Sequence, residues 1–171
     1  MGNIIRDGVI TEDHWQHVSN EDVLPAQGDV IVTLERWQQE RDQLLQRTGR
    51  VGVRIDGDSS LDALLDDLGH FALIALDFPA FKDGRCLSHA RLLRERHGYR
   101  GELRAVGDVL RDQMGYMARV GINAFEVRED RSLEDALNAF SEFSTHYQMN
   151  PHGEIPRVLR RRSERKVAAA S

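Results

Sequence analysis

VGVRIDGDSSLDALLDDLGHFALIALDF, residues 51–78, decides the fold. VGVRI is short, apolar and followed by Asp-Gly, and FALIALDF is a second apolar run that stops at Pro79, so both read as strands. Between them Leu61, Leu64, Leu65 and Leu68 recur at the spacing of one helical face, and Ser59 with Asp62 matches a capping box, which predicts a helix near residues 60–69. A strand, a helix and a strand in such close succession join parallel strands by a right-handed crossover. The stretch therefore predicts an α/β layer architecture.

The alternation continues on both sides. Downstream, a helix is expected from about Arg85 to His97, a strand at ELRAV, a helix from Val109 to Val120 with Asp108 as its N-cap, and a strand at AFEVR. A last helix opens at Ser132 with Asp135 completing a box, and should bury Leu133, Ala136, Leu137, Phe140 and Phe143. Gly98 and Gly121 stand where the two preceding helices should end. Upstream, DVIVTLERWQQERDQLLQR (29–47) reads as one more strand and helix, and IIRDGVITEDHWQHV (4–18) alternates about Asp-Gly as a β-hairpin arm.

The expected fold class is thus α/β, built of sequential parallel βα units that curve like half of a barrel, with an N-terminal β-hairpin. An open flavodoxin-like sheet with a reversed strand order is the alternative. Five such units cannot close, so the hairpin is expected to cover one sheet edge and a homodimer the other. Residues 1–150 are read as a single α/β domain, with residues 1–28 as its N-terminal arm, and residues 151–171 as a basic, flexible tail.

Composition narrows the function classes. The formal charge of −5 is uneven, because residues 157–171 hold six Arg or Lys against one Glu, leaving the rest of the chain strongly acidic. Two Trp, three Tyr and six Phe are not interleaved with the arginines as a platform for single-stranded nucleic acid requires, so no nucleic-acid partner is expected. No apolar run is long enough to span a membrane. The single cysteine, Cys86, has no partner in the chain, and the N-terminus lacks a signal-peptide pattern, so a cytoplasmic location is expected. CxxC, HxxxH and GxGxxG patterns are missing, and DGDSSLDALLDD lacks the glycine and terminal glutamate of a calcium loop, so the residues name no cofactor.

The candidate site comes from polar residues at strand ends, where parallel α/β proteins gather ligands. Asp56 and Asp58 follow the first strand of the opening stretch, Asp77 the second, Asp108 the third, and Glu129 with Asp130 the fourth. Asp58, Asp62 and Asp130 read best as helix caps. Asp77 is too far from the next helix to cap it, since Pro79 and the Asp83-Gly84 turn intervene within DFPAFKDGR (77–85). Asp56, Asp77 and Asp108 could converge on Mg²⁺, although nothing in their spacing requires a metal and none is assigned.

Seven arginines fall between Arg85 and Arg111. Arg85 and Arg111 sit in the first turns of their helices, where a cation opposes the macrodipole unless an acid or bound anion offsets it. Arg94 and Arg96 are read as solvent-facing. The candidate catalytic residues are accordingly Asp77, Asp83, Arg85, Asp108 and Arg111, and the anion-binding candidates Arg85, Arg91 and Arg111. Cys86 is read as a half-buried structural cysteine in preference to a nucleophile.

DFPAFKDGR and ARLLRERHGYRGELRAVGDVLRDQMGYMARVGINAFEV together resemble a bacterial family catalogued as domain of unknown function 934 and described as a probable oxidoreductase involved in sulfite reduction. Its pattern covers Pro79, Asp83, Gly84, Arg85, Arg91, Arg104, Gly107, Asp108 and Arg111 among others; Cys86-Leu87 and Val120 depart from it. The resemblance implies an accessory protein or oxidoreductase component of assimilatory sulfite reduction, in sulfur assimilation and cysteine biosynthesis. The implied partner is the sulfite reductase haemoprotein, beside whose gene the family's genes lie, or its electron donor. The residues themselves leave open a second reading, a small cytoplasmic enzyme acting on a small anion in an Asp/Arg cleft.

Overall fold

The computed structural model describes residues 2–79 and 84–143, with backbone alone over the last three. The chain opens with a hairpin of β1 (Asn3–Arg6) and β2 (Val9–Glu12), turned by Asp7-Gly8 with both φ angles positive (51° and 76°), as a tight two-residue hairpin turn requires. There follow β3 (Trp15–Val18), β4 (Asp29–Thr33), α1 (Leu34–Gln46), β5 (Val51–Ile55), α2 (Asp62–Leu65), β6 (Phe71–Phe78) and α3 (Arg85–Glu95). The last elements are β7 (Glu102–Gly107), α4 (Arg111–Arg119), β8 (Ala124–Phe125) and α5 (Leu133–Phe143).

All eight strands form one sheet in the order β2-β1-β8-β7-β6-β5-β4-β3. From β3 to β8 every neighbouring pair is parallel and follows chain order, which is the sequential half-barrel arrangement and excludes the reversed order of a flavodoxin-like sheet. β1 adds antiparallel to β8, so the hairpin covers that edge as expected.

The sequence did not separate β3 from the hairpin. Residues 15–18 leave it and pair with β4 at the opposite edge of the sheet. Only Asp13 and His14 join β2 to β3, the two outermost strands, and three Cα steps reach no more than roughly 11 Å. The sheet must therefore curl until its ends approach. Side chains cross the concavity to confirm this: Arg104 on β7 holds Asp13 of the link at 2.8 and 3.0 Å, and His17 of β3 meets Glu126, just past β8, at 2.8 Å.

Curling divides the strand residues by parity. The convex face carries Val30, Val32, Val53, Ile55, Ile74, Leu76, Leu103, Ala105 and Phe125, packed against Trp37 and Leu44 of α1, Leu64 of α2, Ala90 and Leu93 of α3, and Met114 and Met117 of α4 in one core. The concave face has a much smaller apolar group of Trp15, Ile31, Leu73, Ala75 and Val106. Charged residues share this face with it, because register aligns Leu73 with Glu102 and Ala75 with both Arg54 and Arg104. The strand starts are closed by Trp15, with the Arg50 guanidinium 5.1 Å from its ring and held there by Asp29 at 2.5 Å. The concavity thus opens at the carboxyl ends of the strands.

Several local expectations need correction. The helix expected near residues 60–69 is a single turn, α2, followed by a 3₁₀ turn over Leu68–His70. Its capping box does not form, because the Ser59 hydroxyl donates to Asp56 at 2.9 Å and accepts from the Asp56 amide. Asp108 is not the N-cap of α4, which begins after Leu110 with no side-chain cap; its carboxylate lies 3.3 Å from Arg128 instead. Arg94 does not face solvent: its guanidinium donates to the carbonyls of Tyr99, Gly101 and Gly121, pinning the end of α3 to the turn after α4. Gly98 and Gly121 end their helices with φ of 65° and 104°, as expected. At Ser132 the cap is present, its hydroxyl accepting from the Asp135 amide at 3.2 Å, and Ala136 and Phe140 are buried behind it. The Phe143 side chain, Asp83 and the basic tail lie outside the described residues.

Candidate functional site

The ends of β4, β5 and β6 enclose a cleft of about 420 Å³ lined by Thr33, Gln38, Arg54, Asp56, Ser59 and Asp77, among others. It lies where strand-end reasoning places a ligand. Arg54 is its cation. The Nε and Nη2 of Arg54 donate to one oxygen of Asp77, at 3.1 and 2.5 Å, so Asp77 is a paired carboxylate. Gly107, at the end of β7 with φ of 90°, makes room for that pair, since a Cβ there would stand 2.7 Å from the Asp77 carboxylate.

Asp56 also lines the cleft, but its carboxylate accepts from the amides of Asp58 and Ser59 and from the Ser59 hydroxyl. The Ser59 hydrogen bonds hold its carboxyl below the usual range despite partial burial. Asp77 and Asp56 are thus brought together, and Asp108 is held apart on Arg128. Among the described residues no three of His, Cys, Asp or Glu come together as a metal-holding group.

The arginines chosen from sequence each meet an acid. Arg85 pairs with Asp58, so the first turn of α3 is tied to the loop after β5. Arg91 pairs with Glu95 within α3 at 3.5 Å, and Arg111 meets Asp135 of α5 at 3.3 Å. Arg85 stands near the cleft, close enough to Asp56 to help keep it ionised, whereas Arg111 braces α4 against α5. Cys86 is fully buried, and its thiol donates to the Asp77 carbonyl at 3.2 Å, so it packs as a core residue and not as the half-buried one expected.

The sequence reading missed the charged interior of the concavity. Arg104 has no exposed surface, and it donates to Asp13 through both terminal nitrogens and to Glu102 at 2.8 Å. Glu126 lies 3.7 Å from Arg104 on the mouth side. Burial would raise the Glu126 carboxyl, but His17 and then Arg104 and Arg54 hold it below the usual range. A signal for this layer was present, because Arg54, Asp77, Glu102 and Arg104 sit at alternate positions of strands that are otherwise apolar, and Glu126 continues the alternation just past β8.

These lowered carboxyls give a pH prediction. Asp29, Asp56 and Asp67 are held down mainly by Arg50, Ser59 and Arg41 respectively, and Glu126 joins them. The unfolded chain takes up protons at these groups near pH 4, where the folded chain does not, so their contribution is complete above about pH 5 and is lost as pH falls through the folded values. Urea midpoints should be flat from about pH 7 to 5 and fall steadily toward pH 3. A midpoint that holds or rises over the acid range would contradict the assignment.

Residues 52–158 match the model of a family described as a bacterial protein of unknown function, DUF934. Neither a curated protein nor a solved structure matches the chain. No helix among the described residues is long and apolar enough to cross a membrane.

Proposed function

The chain belongs to that bacterial family, and from this premise we propose that it is an accessory component of assimilatory sulfite reduction, acting in the cytoplasm with the sulfite reductase haemoprotein or its electron donor. What supports the reading is the resemblance at DFPAFKDGR and RGELRAVGDVLRDQ, from which that role is implied; the family match spans both segments and itself assigns no function. The geometry favours an assisting role over turnover by the residues first suspected. Arg85, Arg91 and Arg111 are spent on carboxylates of their own fold, and the Cys86 thiol is enclosed.

Removal of the gene should slow or abolish growth on sulfate while leaving growth on cysteine unchanged, and tagged full-length protein should co-purify with the reductase. Equal growth on both sulfur sources would end the pathway assignment. A homodimer belongs to the same proposal. β1 covers the β8 edge of the parallel sheet from within the chain, whereas β3 at the other edge and β2 beyond the hairpin are the outermost strands to which a second copy can add.

The second reading, a small enzyme acting on a small anion, is favoured by one observation, the Arg54 guanidinium standing in the strand-end cleft. An arginine fork of this kind suits a carboxylate or an inorganic oxyanion.

A further inference from the structure

The lining of the strand-end cleft does not match a small anion on its own. Arg54 is the one cation there among the described residues, and it shares the wall with three carboxylates, Glu35, Asp56 and Asp77. Asp77 neutralises Arg54 through the contacts at 3.1 and 2.5 Å, so the charges of Glu35 and Asp56 have no counterpart within the lining. Arg85 acts on Asp56 from outside it and is paired with Asp58. A bare anion entering the cleft therefore meets more repulsion than attraction, and a bare divalent cation meets a guanidinium. A ligand that carries both signs meets neither objection.

Hydrogen bonding shows where the two ends of such a ligand attach. Asp56 accepts from the Asp58 amide, the Ser59 amide and the Ser59 hydroxyl at the same oxygen, Oδ1, at 3.0, 2.8 and 2.9 Å, and Oδ2 has no hydrogen bond among the described residues. Arg54 uses Nε and Nη2 on Asp77, and Nη1 has none among them. The register keeps these two groups together. β5 ends at Ile55 opposite Leu76, so the chain delivers Asp56 beside Asp77, one strand spacing or about 4.8 Å away in the backbone. The Arg54 guanidinium is anchored on that same Asp77, and all three residues line the one cleft. Its volume of about 420 Å³ lies near the lower end for ligand pockets, which limits the ligand to a few heavy atoms.

We propose that the cleft binds a small α-amino acid as its zwitterion, with the carboxylate on Arg54 Nη1 and the ammonium on Asp56 Oδ2. Gln38, from α1, lines the same space and offers a neutral amide to a short polar side chain. The inference rests on the anion reading of the cleft and specifies it: the anion is one end of a ligand whose other end is a cation. No bond is made or broken on binding.

The test is calorimetric titration of the full-length protein at about pH 7, where carboxylates are ionised and amines protonated. L-serine is compared with its two halves, ethanolamine, which lacks the carboxylate, and 3-hydroxypropionate, which lacks the ammonium. L-serine should bind at least about tenfold more tightly than either, since each half forgoes a charged hydrogen bond. Asp56→Asn keeps an oxygen for the Asp58 and Ser59 amides; it should weaken L-serine about tenfold and tighten 3-hydroxypropionate, from which it removes a repelling charge. Arg54→Gln should weaken L-serine by a similar factor without weakening ethanolamine. Melting temperatures check that each variant folds. If 3-hydroxypropionate binds as tightly as L-serine and Asp56→Asn changes neither, the zwitterion is overturned and the anion reading stands. If ethanolamine equals L-serine, or none of the three binds, both are overturned.

Discussion

Arg104→Leu should destabilise the protein by about 3–5 kcal/mol, because it removes the cation that holds Asp13 in a buried pair and leaves that carboxylate and Glu102 facing a leucine. In a chain of this size that corresponds to a melting temperature lower by roughly 6–20 °C. The loss reflects stranded charge more than missing attraction, which a second variant can show. Adding Asp13→Asn and Glu102→Gln to Arg104→Leu should recover a substantial part of the loss, since neutral amides cost less to bury than carboxylates. Thermal and urea unfolding of the two variants side by side measure the difference. A single-variant cost below about 1 kcal/mol would mean that water reaches the strand interior and screens these groups.

Trp37→Ala should cost a similar amount, about 3–5 kcal/mol. Trp37 is almost wholly buried between α1 and the convex face, its ring meets Phe71 edge-on at 4.6 Å, and its indole N–H donates to Asp67 at 2.8 Å. The same Asp67 accepts a forked pair of bonds from Arg41, so the residue joins α1 to the turn before β6 through both packing and polar contact. Trp37→Phe separates these contributions. It keeps most of the packing and loses the Asp67 bond, so it should cost about 1–2 kcal/mol, the worth of one hydrogen bond with a charged acceptor plus a small void. If the two substitutions prove equally costly in urea titrations, the hydrogen bond and not the ring anchors the helix.

The parallel sheet was legible because each of its long strands is an apolar run flanked by turn residues and separated from the next by helical periodicity. VGVRI, FALIALDF and ELRAV fall within β5, β6 and β7, and Gly98 and Gly121 end helices where they were expected to. β3 was not separable, because WQHV follows the hairpin after only two residues, and periodicity says nothing about which strand a segment pairs with. The capping boxes divided for a local reason. The Ser132 hydroxyl accepts from the Asp135 amide while donating to Glu134 within its own helix, whereas Asp56, three residues before Ser59, captures that hydroxyl.

The site was legible in position but not in its members. Strand-end reasoning chose Asp77 at the end of the sheet where the cleft lies, and missed that its partner is Arg54 on the neighbouring strand. It offered Arg111 as an anion-binding candidate because a cation in a first helical turn lacks a local partner, and the fold supplies one in Asp135 of the next helix, 24 positions on. His17 escaped notice altogether. One histidine in an N-terminal arm acquires meaning only once the sheet has curled and set it against Glu126, 109 positions later.

The two-residue link between the outermost strands has a consequence for synthesis. β3 can find β4 soon after both emerge, but β1 must wait for β8, and the backbone bond from Asp7 to Asn123 spans 116 positions. At translation rates of about 5–20 residues per second, the first hairpin spends roughly 6–23 s beside the ribosome with Ile4 and Ile5 uncovered. β3, already captured on the other edge, acts as a tether through that interval. It holds the hairpin within reach of the place where β8 will arrive, and keeps an adhesive strand from wandering toward a neighbouring nascent chain.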